Sequence, residues 1–185
     1  MTDDAIVDPD AVERAIRRWL ERAVIGLNLC PFAKAVYLKQ QVRIVVSDAT
    51  TERALLEQLG EEMVLLRDTS PEQVDTTLLV HPQILQHFLD YNDFLDDADA
   101  LLDALALDGV LQVASFHPQY QFAGTEPDDA ENLTNRAPYP ILHLLREDSV
   151  ARAGEAYPEP DRIIERNIAT MQKLGADGVQ KLLSD

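Results

Sequence analysis

Cysteine is nearly absent from this chain, which has one thiol, Cys30, in 185 residues. A single thiol excludes an internal disulfide and a thiolate metal cluster, and it agrees with a reducing compartment. Histidine is also scarce: the four residues are His81, His87, His117 and His143, and no pair has the close helical spacing of a zinc site. The sequence therefore supports no metal site, and it indicates no particular cofactor.

Positive charge is in short supply, with 16 lysines and arginines against 33 aspartates and glutamates and a net charge of −17. So negative a surface repels the phosphodiester backbone of nucleic acids and anionic lipid headgroups. We therefore expect neither nucleic acid nor a membrane as a partner. In this background, an arginine without a carboxylate beside it is a strong attractor for a small anionic ligand.

Long apolar runs are missing as well, since no segment approaches the roughly 18–20 consecutive apolar residues that cross a bilayer. The first ten residues, MTDDAIVDPD, contain neither the basic start nor the apolar core of a secretory signal. These absences predict a soluble cytoplasmic protein. The hydrophobic content of 46% and the length predict a single domain over residues 1–185.

Hydrophobic periodicity predicts an α/β fold of the layered α+β kind. Apolar residues recur at helical spacing in the first predicted helix, and Pro9 suits its start. The predicted helices span residues 9–25, 50–67, 83–107 and 161–174, the last stopped by Gly175. Short β-branched runs predict strands at 41–47, 76–80, 110–116 and 140–146. The predicted order is α-β-α-β-α-β-β-α.

The connections between these strands predict a four-stranded mixed sheet packed with helices. Two βαβ crossovers favour parallel, right-handed pairing of neighbouring strands. The last two strands are joined by a long loop without a convincing helix, so we expect them to pair antiparallel. Loops of this length in compact domains are usually functional or disordered, and the two aromatic residues and three prolines of residues 118–138 favour order.

The loop between the last two predicted strands is where we expect a functional site. It places polar side chains between two rigid segments, which is the usual arrangement of working residues on a strand-anchored loop. The candidate site residues in this loop are His117, Tyr120, Asn132, Thr134, Asn135 and Arg136.

His117 ends the third predicted strand, at the edge where ligands of open α/β sheets bind, and it is a candidate general base. His81 also precedes a proline at a strand end. Either the two histidines meet at one edge of the sheet, or the repetition only reflects the extended backbone that precedes proline.

Residues 132–136 (NLTNR) combine hydrogen-bonding side chains with a guanidinium, which is what binding of a carboxylate or phosphate requires. The same amides and hydroxyl can instead bond their own backbone, and Arg136 can pair with an acidic residue of its own loop. Those acidic residues are Glu126, Asp128, Asp129 and Glu131. Arg146, which ends the fourth predicted strand, adds a second positive contact if it points the same way, although Glu147 is another available partner.

Cys30 lies in the segment GLNLCPFA, where Pro31 suits the first position of a short helix. The thiol would then occupy the helix cap, where backbone N–H groups favour a thiolate. Cys30 is therefore a candidate nucleophile, provided that a histidine lies beside it in space. The alternative is a small, inert hydrophobic side chain between Leu29 and Phe32.

The aspartates at positions 90, 93, 96, 97, 99 and 103 resemble at first a magnesium-binding cluster. On a helix, however, the apolar residues of this segment share one face and the aspartates occupy the opposite half. We therefore expect a solvated helix face.

Three segments, GLNLCPFA, FHPQYQF and LTNRAPYPILHLLRE, resemble those of a family of uncharacterised bacterial proteins known only as a domain of unknown function. The resemblance covers the chain from the first helix to about Leu174. It implies one compact bacterial domain. It implies no substrate or catalytic residue, because the family has no established activity.

Two functional hypotheses follow from the candidate residues. In the first, a small-molecule enzyme acts on an anionic metabolite: Arg136, Asn132 and Asn135 hold the anion, His117 transfers a proton, and Cys30 is a candidate nucleophile. In the second, a non-catalytic module binds an anionic metabolite or a protein partner. The sequence does not determine the reaction class.

A third hypothesis makes the chain a subunit of a larger assembly. Its only support in the sequence is that Trp19 or Tyr91 would be exposed in an apolar patch. The oligomeric state is otherwise undetermined.

Overall fold

The computed structural model describes residues 7–159 and 161–184, which form a four-stranded mixed sheet with helices on both faces. The predicted α/β fold is therefore confirmed. The α-helices are α1 (Pro9–Trp19), α2 (Ala33–Leu38), α3 (Glu52–Asp68), α4 (Phe88–Ala104), α5 (Glu147–Ala156) and α6 (Arg162–Leu183). The strands are β1 (Val42–Val46), β2 (Thr76–Val80), β3 (Leu111–Phe116) and β4 (Ile141–Arg146).

The first predicted helix, residues 9–25, is one helical segment of two types. Asp8 caps it by accepting a hydrogen bond from the Asp10 N–H at 3.0 Å, and Pro9 occupies its first turn. After Trp19 the chain continues as a π-helical turn, Leu20–Ile25. The apolar residues keep their helical spacing through the π-helical turn, because the same face of the segment stays buried.

The predicted helices differ most from those observed at the start of α4 and at the end of α6. α4 begins at Phe88 rather than at residue 83, because residues 82–87 form a turn in which Leu85 has a positive φ of 56°. The last helix does not end at Gly175: the backbone bends there, with φ 67° and ψ 171°, and helix resumes to Leu183.

Helix α5 and a 3₁₀ helix, Ala130–Asn135, were not predicted. α5 contains no buried residue, so it lacks the apolar stripe that makes a helix visible in sequence. The 3₁₀ helix buries only Asn132 and Leu133.

The strand order in the sheet is β1-β2-β4-β3. β1 and β2 are parallel, and β4 is antiparallel to both of its neighbours, so the antiparallel pairing of the last two strands is as predicted. Parallel pairing of all chain neighbours is wrong for β2 and β3, because β4 lies between them. The carboxyl ends of β1, β2 and β3 consequently meet the start of β4 at one edge, which we call the carboxyl edge.

Two apolar layers hold the sheet. One layer lies between the sheet and helices α3 and α4, and the other lies between the sheet and α1, together with the end of α6. Trp19 and Tyr91 belong to these layers and are 3% and 0% exposed. The predicted exposure of either residue in an assembly patch is therefore wrong, because both rings are core residues.

The aspartates of α4 are all exposed, whereas Tyr91, Phe94, Ala98 and Leu102 are buried. The expected solvated face is confirmed. No helix within residues 7–159 or 161–184 combines the length and the apolarity needed to cross a membrane.

Candidate functional site

At the carboxyl edge, the rings of His81 and His117 both pack against the ring of Tyr91. The ring centroids are 5.7 Å apart for His81 and Tyr91 and 5.0 Å apart for Tyr91 and His117. The Tyr91 hydroxyl donates to the Ile141 carbonyl at 2.7 Å and accepts from the Phe116 N–H at 3.1 Å. It thus bridges β3 and β4 at the edge. The two strand-end histidines meet at one edge, which answers the question left open by their shared X-Pro pattern.

His117 is fully buried, and both of its ring nitrogens are engaged by the backbone. Nε2 lies 3.1 Å from the Leu85 carbonyl, and Nδ1 accepts from the Gln119 N–H at 3.0 Å. This pattern places the proton on Nε2. Burial lowers the pKa of His117, and the charge of His87 adds to that effect, while the Leu85 carbonyl partly opposes it. A neutral imidazole with no free nitrogen is better suited to holding the loop than to accepting a proton from a ligand.

His81 is also fully buried, and its Nδ1 lies 3.0 Å from the Ile84 carbonyl. Its Nε2 has no hydrogen-bond partner among the described residues. Burial lowers the pKa of His81 to about 4, so the ring is neutral at physiological pH. The two histidines bind the carbonyls of Ile84 and Leu85, and they therefore fix the turn that delays the start of α4.

The Asn132 side chain is fully buried and serves the loop itself. Its Oδ1 accepts from the Phe122 N–H and from the Thr125 hydroxyl, each at 2.9 Å. Its Nδ2 donates to the Glu126 carbonyl at 2.8 Å. Asn132 thus closes residues 122–126 onto the 3₁₀ helix, which is the backbone-bonding alternative considered for this residue.

Thr134 and Asn135 are likewise engaged within the chain. The Thr134 hydroxyl lies 2.7 Å from the Glu131 carbonyl, and the Asn135 Nδ2 donates to the Ser115 carbonyl at 3.1 Å. The Asn135 carbonyl in turn accepts from the His117 N–H at 3.2 Å. These bonds attach the end of the 3₁₀ helix to the end of β3.

Tyr120 lies half-buried at the start of the loop, among aromatic rings. Its ring centroid is 5.1 Å from that of Phe88 and 4.9 Å from that of Phe122. Its hydroxyl is 3.2 Å from the Ser115 hydroxyl. Tyr120 is therefore anchored by packing, with one weak polar contact at its tip.

Arg136 differs from the neighbouring polar residues because it carries a charge, and no carboxylate of the described residues forms an ion pair with it. Its Nε donates to the Tyr120 carbonyl at 3.2 Å and its Nη2 donates to the Pro127 carbonyl at 2.7 Å. Within the described part of the chain, none of the ion pairs involves Arg136, so it does not pair with the acidic residues of its own loop. The guanidinium is oriented by two carbonyls and remains a net positive charge.

Arg146 lies at the other end of β4, away from the carboxyl edge, so it does not join Arg136 in one site. Its Nη2 donates to the carbonyls of Leu66, Thr69 and Val74 at 2.6, 2.6 and 2.9 Å. Burial lowers the pKa of Arg146, and the negative charge of nearby acidic residues partly offsets this decrease. The condition for a second positive contact to the anion is thus not met, because Arg146 and the carboxyl edge lie at opposite ends of the six-residue strand β4.

Cys30 is partly buried in the turn before α2, and Phe32, not Cys30, occupies the cap position of that helix. The predicted capping geometry is therefore wrong by two residues. The loop around the thiol is held by α6, because Asn167 donates to the Leu29 carbonyl at 2.7 Å. No hydrogen bond joins the thiol to a histidine of the described residues.

A cavity of about 470 Å³ lies beside this loop, at the start of α6. Arg166 lines it, and this guanidinium donates to the Tyr157 hydroxyl at 2.5 Å and to the Asn28 carbonyl at 3.3 Å. The remaining lining residues are Glu159, Arg162 and Glu165. Arg166 was not predicted as a site residue, since one basic residue in an amphipathic helix forms no distinctive sequence pattern.

Within the described ranges, no three side chains of His, Cys, Asp or Glu converge as a metal site. Neither a curated protein nor a solved structure matches the chain. One family model matches, over residues 11–181, and its description is "Protein of unknown function (DUF1415)". The predicted resemblance to an uncharacterised family is therefore confirmed, and the chain belongs to the DUF1415 family.

Proposed function

We propose that this domain binds a small metabolite through a carboxylate or phosphate group, with Arg136 as the residue that recognises the anion. The observation that carries the proposal is the state of the guanidinium. Two backbone carbonyls hold it, and no carboxylate of the described residues neutralises it. Carbonyl oxygens orient a cation, but they carry no net charge to cancel it.

The charge of the whole chain makes this state of Arg136 informative. With 33 acidic residues against 16 basic ones, a surface arginine has many potential partners. Some arginines take them, since Arg17 lies 2.6 Å from Glu13 and Arg53 lies 3.0 Å from Glu57, whereas Arg146 and Arg166, like Arg136, bond neutral oxygen atoms. A cation that stays unpaired in such a chain is a local positive potential, and a small anion is the ligand it favours.

The free donors of Arg136 suit a planar or tetrahedral oxyanion. Its Nη1 makes no hydrogen bond to a described residue, and Nη2 has a second N–H beside the one that meets Pro127. Adjacent N–H groups of a guanidinium bind two oxygens of one carboxylate or phosphate at once. Recognition by a pair of oxygens is therefore available without moving the side chain from its carbonyls.

The surrounding loop supports such a site by being fixed before a ligand arrives. Asn132 and Asn135 tie the 3₁₀ helix to residues 122–126 and to β3. A loop that is already ordered before binding loses less conformational entropy when the ligand binds. In this proposal Asn132, Thr134 and Asn135 hold the frame of the site, and the ligand contacts Arg136, whose Nε bonds the carbonyl of Tyr120.

Binding is favoured over catalysis by the condition of the predicted catalytic residues. For His117 to act as a general base, its unprotonated nitrogen, Nδ1, must first release the Gln119 N–H. Cys30 lacks a hydrogen-bonded imidazole to activate its thiol. The enzymatic roles of both residues stay predictions, and a bound ligand is what the present geometry supports.

The proposal is tested by a thermal-shift screen against phosphorylated and carboxylated metabolites. A ligand present at 100 times its Kd stabilises the folded chain by about 2.7 kcal/mol. For a domain of this size, that corresponds to a rise of about 5–10 °C in Tm. We expect at least one such ligand for the wild type. The ligand-induced rise in Tm should vanish in Arg136→Gln. It should shrink in Arg136→Lys, which keeps the charge but loses the adjacent N–H donors of the guanidinium.

Two further variants serve as controls for the screen. Arg53→Gln removes an exposed, ion-paired arginine from α3 and should leave the ligand-induced rise unchanged. Arg166→Gln removes the guanidinium of the cavity at the start of α6. A rise that survives in Arg136→Gln and disappears in Arg166→Gln would contradict the proposal and place the site in that cavity.

A further inference from the structure

The outer edge of β1 is the least protected part of the sheet. Gln41 and Ser47 flank this strand. Their backbone groups form hydrogen bonds with β2 and with the residue that precedes β2, and the Ser47 N–H donates at 2.7 Å. Because successive residues of a strand turn their backbone groups to opposite sides, those of Val42, Ile44 and Val46 point away from β2. No loop, helix or side chain of the described residues bonds to them.

The other edge strand, β3, is protected by its own chain. At one end, the Leu111 N–H donates to the Leu107 carbonyl at 3.0 Å. At the other end, the Asn135 Nδ2 donates to the Ser115 carbonyl at 3.1 Å. Both ends of its outer edge are thus occupied, whereas β1 presents three alternate residues whose backbone groups face outward. Natural sheets usually block such an edge, so an open one indicates a partner.

An apolar surface lies beside the open edge. Helix α2 has no buried residue, and its Leu38 is 70% exposed, the largest exposure among the big apolar side chains of the described residues. Leu38 borders a recess of about 560 Å³, which is also lined by Arg17, Tyr37, Gln40 and Val42. The open backbone and the exposed side chain therefore belong to one continuous surface.

We propose that β1 pairs antiparallel with β1 of a second copy of this chain, which makes one sheet across two subunits. With Ile44 opposite Ile44 of the partner subunit, Val42 lies opposite Val46 of the partner subunit. All outward-facing N–H and C=O groups then meet a partner. These side chains already pack in the layer beneath α1, so the pairing extends an existing apolar layer across the interface.

Charge is complementary in this register. Antiparallel pairing places the residues before β1 beside those that follow β1 of the partner subunit, so the exposed Lys39 of one copy and the exposed Asp48 of the partner subunit lie at the same end of the interface. Neither residue has an ion pair among the described residues. The net charge of −17 on each copy opposes association at longer range, and salt screens that repulsion. The dimer should therefore be weak at low ionic strength and stronger in salt.

Sedimentation velocity over a range of concentrations tests this interface. We expect the apparent mass to rise with concentration from 20.7 kDa towards about 41 kDa, which is twice that value, with more dimer at high salt. Ile44→Pro, which removes one outward-facing N–H, and Leu38→Asp should each weaken the dimer at least 10-fold. A monomer at every concentration would overturn the proposal.

Matched substitutions separate this interface from any other. Val113→Pro removes an outward-facing N–H from β3, and Leu89→Asp charges an exposed leucine on α4 that is 62% exposed. Both should leave the dimer unchanged, and a dimer lost in these variants but kept in the β1 variants contradicts the proposal. Amide exchange gives a readout without substitution: the Ile44 amide should exchange more slowly as the dimer forms, and an unchanged rate in the dimer overturns the pairing.

Discussion

At the scale of single residues, the polar side chains of the long loop divide into those that hold it and one that is left for a ligand. Asn132, Thr134 and Asn135 bond the backbone of their own loop and of β3. Arg136 also bonds the backbone, but its charge is not cancelled. The site proposed here therefore depends on a single cation in a fixed frame rather than on a cluster of catalytic groups.

Tyr91 is the residue whose hydroxyl group, when removed, should most directly destabilise the carboxyl edge. Tyr91→Phe leaves the Phe116 N–H and the Ile141 carbonyl without their common partner. A buried polar group left unpaired costs about 1–3 kcal/mol, so we expect the free energy of unfolding in urea to fall by that amount.

The matched control for this change is Tyr37→Phe. The Tyr37 hydroxyl donates to Glu21 at 2.6 Å in an exposed position, so water can replace the bond. Its loss should cost less than about 0.5 kcal/mol. Equal losses in the two variants would show that the hydroxyl bridge between β3 and β4 contributes nothing.

Which residues would gather at the carboxyl edge was predictable, and what each does there was not. His117 at a strand end and the polar run 132–136 follow from local sequence alone. The Nε2 partner of His117 is the carbonyl of Leu85, which lies 32 positions away and depends on a turn with positive φ. Amide and hydroxyl groups bond ligand and backbone equally well, so only the packed loop decides between the two.

At the scale of secondary-structure elements, Arg146 joins β4 to the end of α3. Its guanidinium binds the carbonyls of Leu66, Thr69 and Val74, and so satisfies backbone groups at the helix end and in the following turn. Arg146→Met leaves these carbonyls without a donor. We expect a loss of more than about 2 kcal/mol in the free energy of unfolding, because several charge-assisted bonds disappear together.

Arg53→Met is the control for that substitution, since the Arg53 side chain is 88% exposed and pairs only with Glu57 in the same helix. Its removal should change the stability by less than about 0.5 kcal/mol. If the two arginine variants unfold at the same urea concentration, Arg146 does not hold the elements together.

Strands were more predictable than their arrangement. The four β-branched runs match β1 to β4 within one residue at each end, because strand signals are local. The insertion of β4 between β2 and β3 depends on how the loop of residues 117–140 crosses the edge, which no periodicity reports. α5 escaped prediction because it buries no residue.

At the scale of the whole molecule, buried neutral histidines should make the fold sensitive to acid. Burial lowers the pKa of His81 and of His143 to about 4, from an unfolded value of 6.5. Between pH 6.5 and 4, these two histidines therefore bind protons in the unfolded chain but not in the folded chain. Stability is full above pH 6.5 and falls as the pH drops towards 4, by about 3 kcal/mol for each histidine.

Urea unfolding at several pH values measures this dependence. The double variant His81→Gln/His143→Gln should have a flatter slope of unfolding free energy against pH between 6.5 and 4. The slope of His87→Gln, an exposed histidine, should match the wild type. Because all three chains keep the same 33 acidic residues, the contribution of the carboxylates cancels in the comparison. A double variant as acid-sensitive as the wild type would assign the sensitivity to those carboxylates.

The charge of the whole chain, −17, is also what gives the unpaired guanidinium of Arg136 its significance. The most direct test is to observe that group itself, by recording the Nε–H resonance of Arg136 in ¹⁵N-labelled protein while a metabolite from the thermal-shift screen is added. Recognition of the anion by Arg136 predicts a saturable shift of the Arg136 resonance, with the Arg53 resonance unchanged. A ligand that binds and saturates without moving the Arg136 resonance would contradict it.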